Sequence, residues 1–179
     1  MESLKRLVRR KKRGNVPAEP AQADRIPHPL PSQYMTTSPD AQETFLVYDN
    51  GSLDARMLVF ASDSGLQLLG ASETWFCDGT HSSAPAQFAQ LFCVRVPMGN
   101  SHVTAAYALL PGKQQSTYEE LFTALLDSCL QRDIRPNVTV VVCDYEIAIH
   151  NAVRTTLCSQ IRVQVYHKCS KEDIKLYIK

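Results

Sequence analysis

The sequence predicts an α/β fold with a mixed sheet, and two observations indicate it. Short apolar segments are separated by proline and glycine, and after residue 110 such segments alternate with two segments of helical periodicity. Residues 138–143 are almost all apolar and β-branched, which is typical of a central strand covered on both faces. The resulting order is three strands, helix, strand, helix, strand. A mixed sheet with helices on its faces fits that order.

The first elements lie before and within a predicted meander. Residues 45–48 and 57–60 are apolar and flank the turn Asp49-Asn50-Gly51, which predicts a β-hairpin because Asn-Gly tolerates positive φ. Residues 64–71 are predicted to form a short helix. Strands follow over residues 74–77, 91–96 and 103–110, separated by Pro85, by residues 97–99 and by Pro111-Gly112.

The later elements alternate between helix and strand. Ser116 and Glu119 have the spacing of a capping box, which predicts a helix that begins there and continues to about Arg132. Its apolar residues recur at helical spacing: Tyr118, Leu121, Phe122, Leu125, Leu126 and Cys129. A second helix follows Glu146, with Ile149, Ala152, Val153 and Leu157 on one side. We expect a strand over residues 161–166 and a short helix over residues 171–179.

The composition excludes some classes of protein. The chain has 179 residues, of which 44% are hydrophobic, enough for a core without disulfides. No stretch has the roughly 18 consecutive apolar residues of a membrane span, and no secretory signal is visible, so we expect no membrane partner and an intracellular location. The six cysteines form no CxxC pair, which favours reduced core residues.

The charge is distributed unevenly. Residues 1–13 hold seven of the 19 Lys and Arg and one of the 18 acidic residues, so the remainder carries 12 basic against 17 acidic residues. Residues 1–44 also contain six prolines, which predicts a poorly ordered tail. The basic arm consists of Arg9, Arg10, Lys11, Lys12 and Arg13. Such an arm binds phosphates or serves nuclear import, although a solvated tail has the same composition.

Two aspartates carry the candidate chemistry. Asp78 and Asp144 each follow an apolar strand, and the predicted order allows those strands to be neighbours. A strand-end aspartate on its own is usually a turn former or a helix cap. Two carboxylates on adjacent strands repel each other unless a cation lies between them, and Mg²⁺ or Mn²⁺ takes such oxygen ligands. Glu146 is either a further ligand or an acid at the start of a helix.

Several motifs together resemble a known family. They are WFCDGT at residues 75–80, FAQL at residues 88–91, YALLPGK at residues 107–113, YEEL at residues 118–121 and VCDYE at residues 142–146. Their order and spacing resemble the Mutator-like element (MULE) transposase domain over residues 45–168. The resemblance implies an RNase H-like fold with a DDE triad that cuts and joins DNA with Mg²⁺ or Mn²⁺. By this resemblance Asp78 is the first acid and Asp144 the second, each a metal ligand.

The departures from the family pattern concern accessory residues and the third acid. His81 stands where the family usually has phenylalanine, and it either contacts phosphate or is a tolerated substitution. Tyr166 and His167 match the family, but the preceding cysteine is missing, and His167 with Cys169 falls short of a zinc site. The family's third acid lies far downstream on a helix, and Glu172 and Asp173 come too early to match it. We therefore expect an RNase H-like core that is incomplete at the C-terminus.

These observations predict three segments and leave three hypotheses. The segments are a tail at residues 1–44, a lead-in hairpin and helix at residues 45–73, and a partial transposase core at residues 74–179. The first hypothesis is a truncated MULE transposase with two of three catalytic acids. The second is a domesticated, non-catalytic module that binds DNA or protein in the nucleus. The third is an unrelated α/β domain whose aspartates are caps. We also expect self-association through an uncovered apolar face and no small-molecule cofactor.

Overall fold

A computed structural model of the chain describes residues 25–38 and 43–165. Within these ranges, seven strands form one sheet in the order β1-β2-β5-β4-β3-β6-β7. The strands are β1 (Leu46–Asp49), β2 (Leu58–Phe60), β3 (Thr74–Thr80), β4 (Gln90–Met98), β5 (Ser101–Leu110), β6 (Val140–Cys143) and β7 (Arg162–Val165). The helices are α1 (Asp63–Ala71), α2 (Gln115–Leu130) and α3 (Ile147–Thr156), with a short 3₁₀ helix at Ser32–Tyr34.

The predicted meander is confirmed. Strand β4 pairs antiparallel with β3 on one side and with β5 on the other. The β4–β5 turn is tight, with Met98 opposite Ser101 and Gly99 at a φ of +59°. Strand β4 continues through Pro97, which the sequence places in the turn. Pro97 is accommodated because the β3–β4 ladder ends at Arg95, so no neighbour on that side requires its missing amide.

The second half of the sheet is parallel. Strand β6 pairs parallel with β3 and with β7, so it is an internal strand, as its continuous apolar run predicts. The prediction that both of its faces are covered is wrong for the described residues, because only Val141 and Cys143 face the core. Helix α2 connects β5 to β6, and helix α3 connects β6 to β7. The fold is thus α/β with a mixed sheet, as expected.

The hairpin forms the opposite edge of the sheet. Strands β1 and β2 pair antiparallel, and β2 adds to β5. Gly51 has the predicted positive φ, at +64°, but the connection is a loop of eight residues rather than a tight turn. Tyr48 and the Asn50 side chain both donate hydrogen bonds to Glu120 Oε1, at 2.9 and 3.0 Å. These bonds attach the edge of the sheet to α2.

All three helices lie on one face of the sheet. The Trp75 indole donates to the Leu69 carbonyl of α1 at 3.1 Å, and Phe92 packs against Tyr118 of α2 with ring centroids 5.4 Å apart. Ile149, Ala152 and Val153 of α3 belong to the same core. On the opposite face most side chains are half-buried or exposed, although Leu58 and Cys93 are buried there. The half-buried or exposed side chains include Phe60, Phe76, Leu91, Tyr107, Leu109 and Val142.

Some details differ from the sequence-based expectations. Strand β3 does not end before Asp78 but continues to Thr80, because Gly79 and Thr80 pair with Phe92 and Leu91. The predicted capping box is wrong: Gln114 is the N-cap of α2, so Ser116 already lies inside the helix. Residues 25–38 are not separate from the fold, because the Arg56 guanidinium donates to the Pro27 carbonyl at 3.1 Å.

Other expectations fall outside the described residues. These are the basic arm, the segment with Tyr166 and His167, and the predicted helix over residues 171–179. Within residues 25–38 and 43–165, no helix has the length and hydropathy needed to cross a membrane.

Candidate functional site

Asp78 lies inside β3, on the face of the sheet that the helices leave open. Trp75, Cys77 and Gly79 face the helices. Because successive residues of a strand point to opposite faces, Asp78 faces the other side of the sheet together with Phe76. Its partner across the β3–β4 ladder is Cys93. The aspartate is half-buried.

Asp144 comes directly after β6, beside Asp78. In the parallel ladder Phe76 pairs with Val142 and Cys77 with Cys143. Continuing this register by one residue places Asp144 next to Asp78, on strands that are about 4.8 Å apart. The structure therefore makes neighbours of the two strands, as the sequence order allows.

The backbone bends immediately after Asp144. Its carbonyl accepts hydrogen bonds from the Glu146 amide at 2.7 Å and from the His150 ring at 3.2 Å. Tyr145 is pushed into solvent, with 75% of its surface exposed, and Glu146 becomes the N-cap residue of α3. Although Asp144 and Glu146 are only two residues apart in sequence, the bend separates them.

Glu146 contacts residues on the helix-covered side. Its Oε1 accepts a hydrogen bond from the Tyr118 hydroxyl at 2.7 Å, and its Oε2 lies 3.7 Å from Lys113 Nζ. Burial raises the pKa of Tyr118, and the Glu146 carboxylate raises it further, so the hydroxyl remains a donor. The structure thus shows Glu146 engaged by Tyr118 and Lys113.

Two cysteines lie directly behind the aspartates, toward the helices. Burial raises the pKa of the Cys77 thiol, and the neighbouring Cys143 and Asp78 raise it further. Burial also raises the pKa of Cys143 to about 11, with contributions from Asp144 and Glu146. Both thiols are therefore protonated and uncharged at neutral pH.

The remaining predicted site residues lie elsewhere. His81 is exposed just beyond β3, and its Nδ1 donates to the Ala89 carbonyl at 2.6 Å. His167 and the arm of Arg9, Arg10, Lys11, Lys12 and Arg13 fall outside the described residues. Arg95, which the sequence analysis did not single out, is exposed on the same face as Asp78, where it pairs with Phe76.

Sequence reasoning also missed a buried polar chain behind the site. Gln90 is 1% exposed, and its Nε2 donates to the Tyr118 hydroxyl at 2.8 Å and to the Gly112 carbonyl at 3.3 Å. Gln90 and Tyr118 belong to the motifs FAQL and YEEL. A glutamine within an otherwise apolar strand start was the available signal.

The donor set suits a hard divalent cation. Asp78 and Asp144 offer oxygen ligands on one half-buried face, and no described Lys or Arg forms an ion pair with either. Mg²⁺ commonly uses one or two carboxylates and completes its coordination with water and phosphate. No group of three or more His, Cys, Asp or Glu side chains that could hold a metal occurs in the described ranges. The pair fits such an ion only with outside ligands.

The structure is a mixed α/β sheet with Asp78 in β3 and Asp144 directly after the neighbouring parallel strand β6, an arrangement that suits metal-dependent phosphoryl transfer. The family model of the MULE transposase domain matches residues 74–171, more than half of the chain, and the chain belongs to this family. Comparison with curated proteins and with solved structures gave no significant match. Membership of a transposase family makes DNA the partner class.

Proposed function

We propose that this chain forms the RNase H-like core of a MULE transposase, in which Asp78 and Asp144 bind a divalent metal ion at the DNA backbone. The observation that supports the proposal is the parallel register of Cys77 with Cys143, each of which is followed directly by an aspartate. A second support is the order of three antiparallel strands followed by two parallel ones, the arrangement that the family resemblance implies.

The residues present would hold Mg²⁺ or Mn²⁺, and this ion would supply activation of water and stabilisation of the leaving oxygen in phosphodiester cleavage. The chain's own contribution is placement. Strand β3 holds Asp78 on a rigid sheet, and β6 ends one residue before Asp144, so little reorganisation is needed when a ligand binds. Arg95, exposed on the same face, is suited to contact a DNA phosphate.

We propose that residues 1–179 alone cleave DNA weakly or not at all. Asp78 and Asp144 are two acids of a DDE set of three, and no third acidic side chain joins them in the described part of the chain. Loss of one ligand removes geometry on which two-metal chemistry depends. The same observation favours a second candidate function: a domesticated module that binds DNA without cutting it.

The test measures metal binding and DNA nicking separately on the purified chain. Mn²⁺ binding is followed by the electron paramagnetic resonance signal of free Mn²⁺, and nicking is followed on supercoiled plasmid. We expect Asp78→Asn and Asp144→Asn each to weaken Mn²⁺ binding at least tenfold. Asp54→Asn, which removes an exposed carboxylate in the β1–β2 loop, is the matched control.

The outcomes separate the candidate functions. Unchanged Mn²⁺ binding in both site variants would contradict the metal site. Nicking that both variants abolish would show a working active site and exclude the non-catalytic module. Metal binding and DNA binding without nicking would support the incomplete transposase or its domesticated form.

The basic arm supports nuclear delivery and DNA contact as a further part of the proposal. Arg9, Arg10, Lys11, Lys12 and Arg13 form a cluster of the kind that import receptors and DNA phosphates bind. Replacing all five by glutamine in a fluorescent fusion should redistribute the protein from the nucleus. Unchanged nuclear accumulation would contradict this role for the arm.

A further inference from the structure

The polar chain of Gln90, Tyr118 and Glu146 connects the two aspartate-bearing segments behind the sheet. Tyr118 is fully buried in α2, where its hydroxyl accepts from Gln90 Nε2 at 2.8 Å and donates to Glu146 Oε1 at 2.7 Å. Glu146 is two residues after Asp144. The hydroxyl thus links the start of β4 to the bend that carries the second aspartate.

At the other end of this polar chain, the Gln90 side chain contacts Gly79, the residue after Asp78. A Cβ placed on Gly79 would collide with Gln90 Oε1 and would lie 3.5 Å from the Phe92 ring. Gly79 therefore allows the Gln90 amide to lie directly against the β3 backbone. The glycine of the motif CDGT is explained here by close approach rather than by a turn, because it lies within a strand.

The β3–β6 ladder cannot by itself fix both aspartates. Its last pair is Cys77 with Cys143, so Asp144 lies just beyond the hydrogen-bonded strand, at a bend. A carboxylate at such a position requires support from other contacts if it is to keep one geometry. The connection through Tyr118 and Glu146 reaches this bend from the core, alongside the hydrogen bond that the His150 ring donates to the Asp144 carbonyl.

We propose that Gln90, Tyr118 and Glu146 are positioning residues, which hold the Asp78 and Asp144 backbones at the spacing that metal binding requires. This inference rests on the proposed function of the aspartate pair. Glu146 acts here as a hydrogen-bond acceptor for Tyr118 and not as a metal ligand. An amide at residue 146 would serve the same purpose, because its oxygen also accepts.

Conservative variants of the full chain test this role through Mn²⁺ affinity. Tyr118→Phe keeps the ring but removes the hydroxyl, and we expect it to weaken Mn²⁺ binding five- to tenfold. Glu146→Ala removes the acceptor and should weaken binding by a similar factor. Glu146→Gln keeps the acceptor, and we expect an affinity within twofold of the unchanged chain. Circular dichroism establishes that each variant is folded.

Each result decides between roles. If Glu146→Gln weakens binding as much as Glu146→Ala, the carboxylate charge matters, Glu146 is a ligand, and the positioning role is wrong. If the Mn²⁺ affinities of Tyr118→Phe and Glu146→Ala both stay within twofold of the unchanged protein, the hydrogen bonds of Gln90, Tyr118 and Glu146 have only a structural role. Should Tyr118→Phe not fold, the pair at Glu146, which is partly exposed, still decides the question.

The Asp78→Asn control separates this inference from the proposed function. If Asp78→Asn leaves Mn²⁺ affinity unchanged, the metal site itself is wrong and the inference is overturned with it. If Asp78→Asn removes binding while Tyr118→Phe and Glu146→Ala do not affect it, the metal site stands and only the positioning role is overturned.

Discussion

Cys77 and Cys143 are register partners in the parallel ladder between β3 and β6, and each is followed directly by an aspartate. Two like charges placed on adjacent strands repel each other in the absence of a cation. The thiols behind them are buried and neutral, so they offer no compensating charge. In the proposed metal site, a bound cation would therefore relieve this repulsion.

The first prediction concerns stability without metal. In EDTA, Asp78→Asn should raise the free energy of unfolding by about 1 kcal/mol, because one of the repelling charges is removed. Urea unfolding followed by the fluorescence of Trp75, the single tryptophan, measures this change. Asp54→Asn should leave stability nearly unchanged. A loss of stability in Asp78→Asn would show that this carboxylate makes favourable contacts instead.

The second prediction concerns stability with metal. A ligand that binds only the folded state stabilises it, by about 2.7 kcal/mol at a concentration one hundred times its Kd. Mn²⁺ should therefore raise the Tm of the unchanged chain and have no such effect on the double variant Asp78→Asn/Asp144→Asn. Equal Tm increases in both proteins would mean that Mn²⁺ binds elsewhere.

The third prediction concerns the buried ion pair at the edge of the sheet. Arg56 is 1% exposed, and its guanidinium lies 2.5 Å from Asp49 Oδ1 through Nε and 2.6 Å from Oδ2 through Nη2. Arg56→Leu leaves the Asp49 charge buried and should cost about 3–5 kcal/mol. The exposed pair of Arg132 with Asp63 is the control, where Arg132→Leu should cost less than about 1 kcal/mol. Similar losses in both variants would contradict the difference in burial.

The fourth prediction is the pH dependence of that pair. Burial raises the pKa of Asp49, but hydrogen bonds from Arg56, from the Gly51 amide and from His28 outweigh it and lower the pKa overall. A lowered pKa in the folded state stabilises the protein above about pH 4, and this stability is lost as the pH falls through the folded value. Asp49→Asn should therefore lose less stability than the unchanged chain between pH 6 and pH 3. Parallel pH profiles in urea unfolding would rule out this contribution.

The fifth prediction concerns cysteine reactivity. Among the described cysteines, Cys158 is exposed, whereas Cys77, Cys93, Cys129 and Cys143 are buried with raised pKa values. N-ethylmaleimide should modify Cys158 first, and the four buried thiols only after urea unfolding. Peptide mass spectrometry measures the order. Rapid native labelling of Cys143 would indicate that the region behind the aspartates opens.

Much of the sheet could be predicted because local patterns determine it. The β-branched run before Asp144 indicated an internal strand, and the apolar side of α3 matched the buried residues Ile149, Ala152 and Val153. The extension of β3 to Thr80 could not be read locally, since Gly79-Thr80 resembles a turn. Pairing with β4 keeps these residues extended, and pairing is a non-local interaction.

The surroundings of the aspartates were less predictable than the aspartates themselves. Strand order and apolar runs predicted Asp78 and Asp144 as a pair, and this pair stays a prediction that the parallel β3–β6 ladder supports. The contact of Glu146 with Tyr118 depends on the bend at Tyr145 and on the placement of α2, neither of which has a sequence signature. The failed capping box has a similar cause, because α2 begins two residues earlier than the Ser116–Glu119 spacing indicates.

Because the three described helices lie on one face of the sheet, the odd-numbered and even-numbered residues of β3 have different surroundings. Odd-numbered positions from Trp75 to Gly79 face the packed interior, where a substitution changes the free energy of unfolding. Even-numbered positions from Phe76 to Thr80 face the open side, where Asp78 lies. A saturation mutagenesis scan across this strand should therefore alternate, residue by residue, between variants that lose stability and variants that keep it.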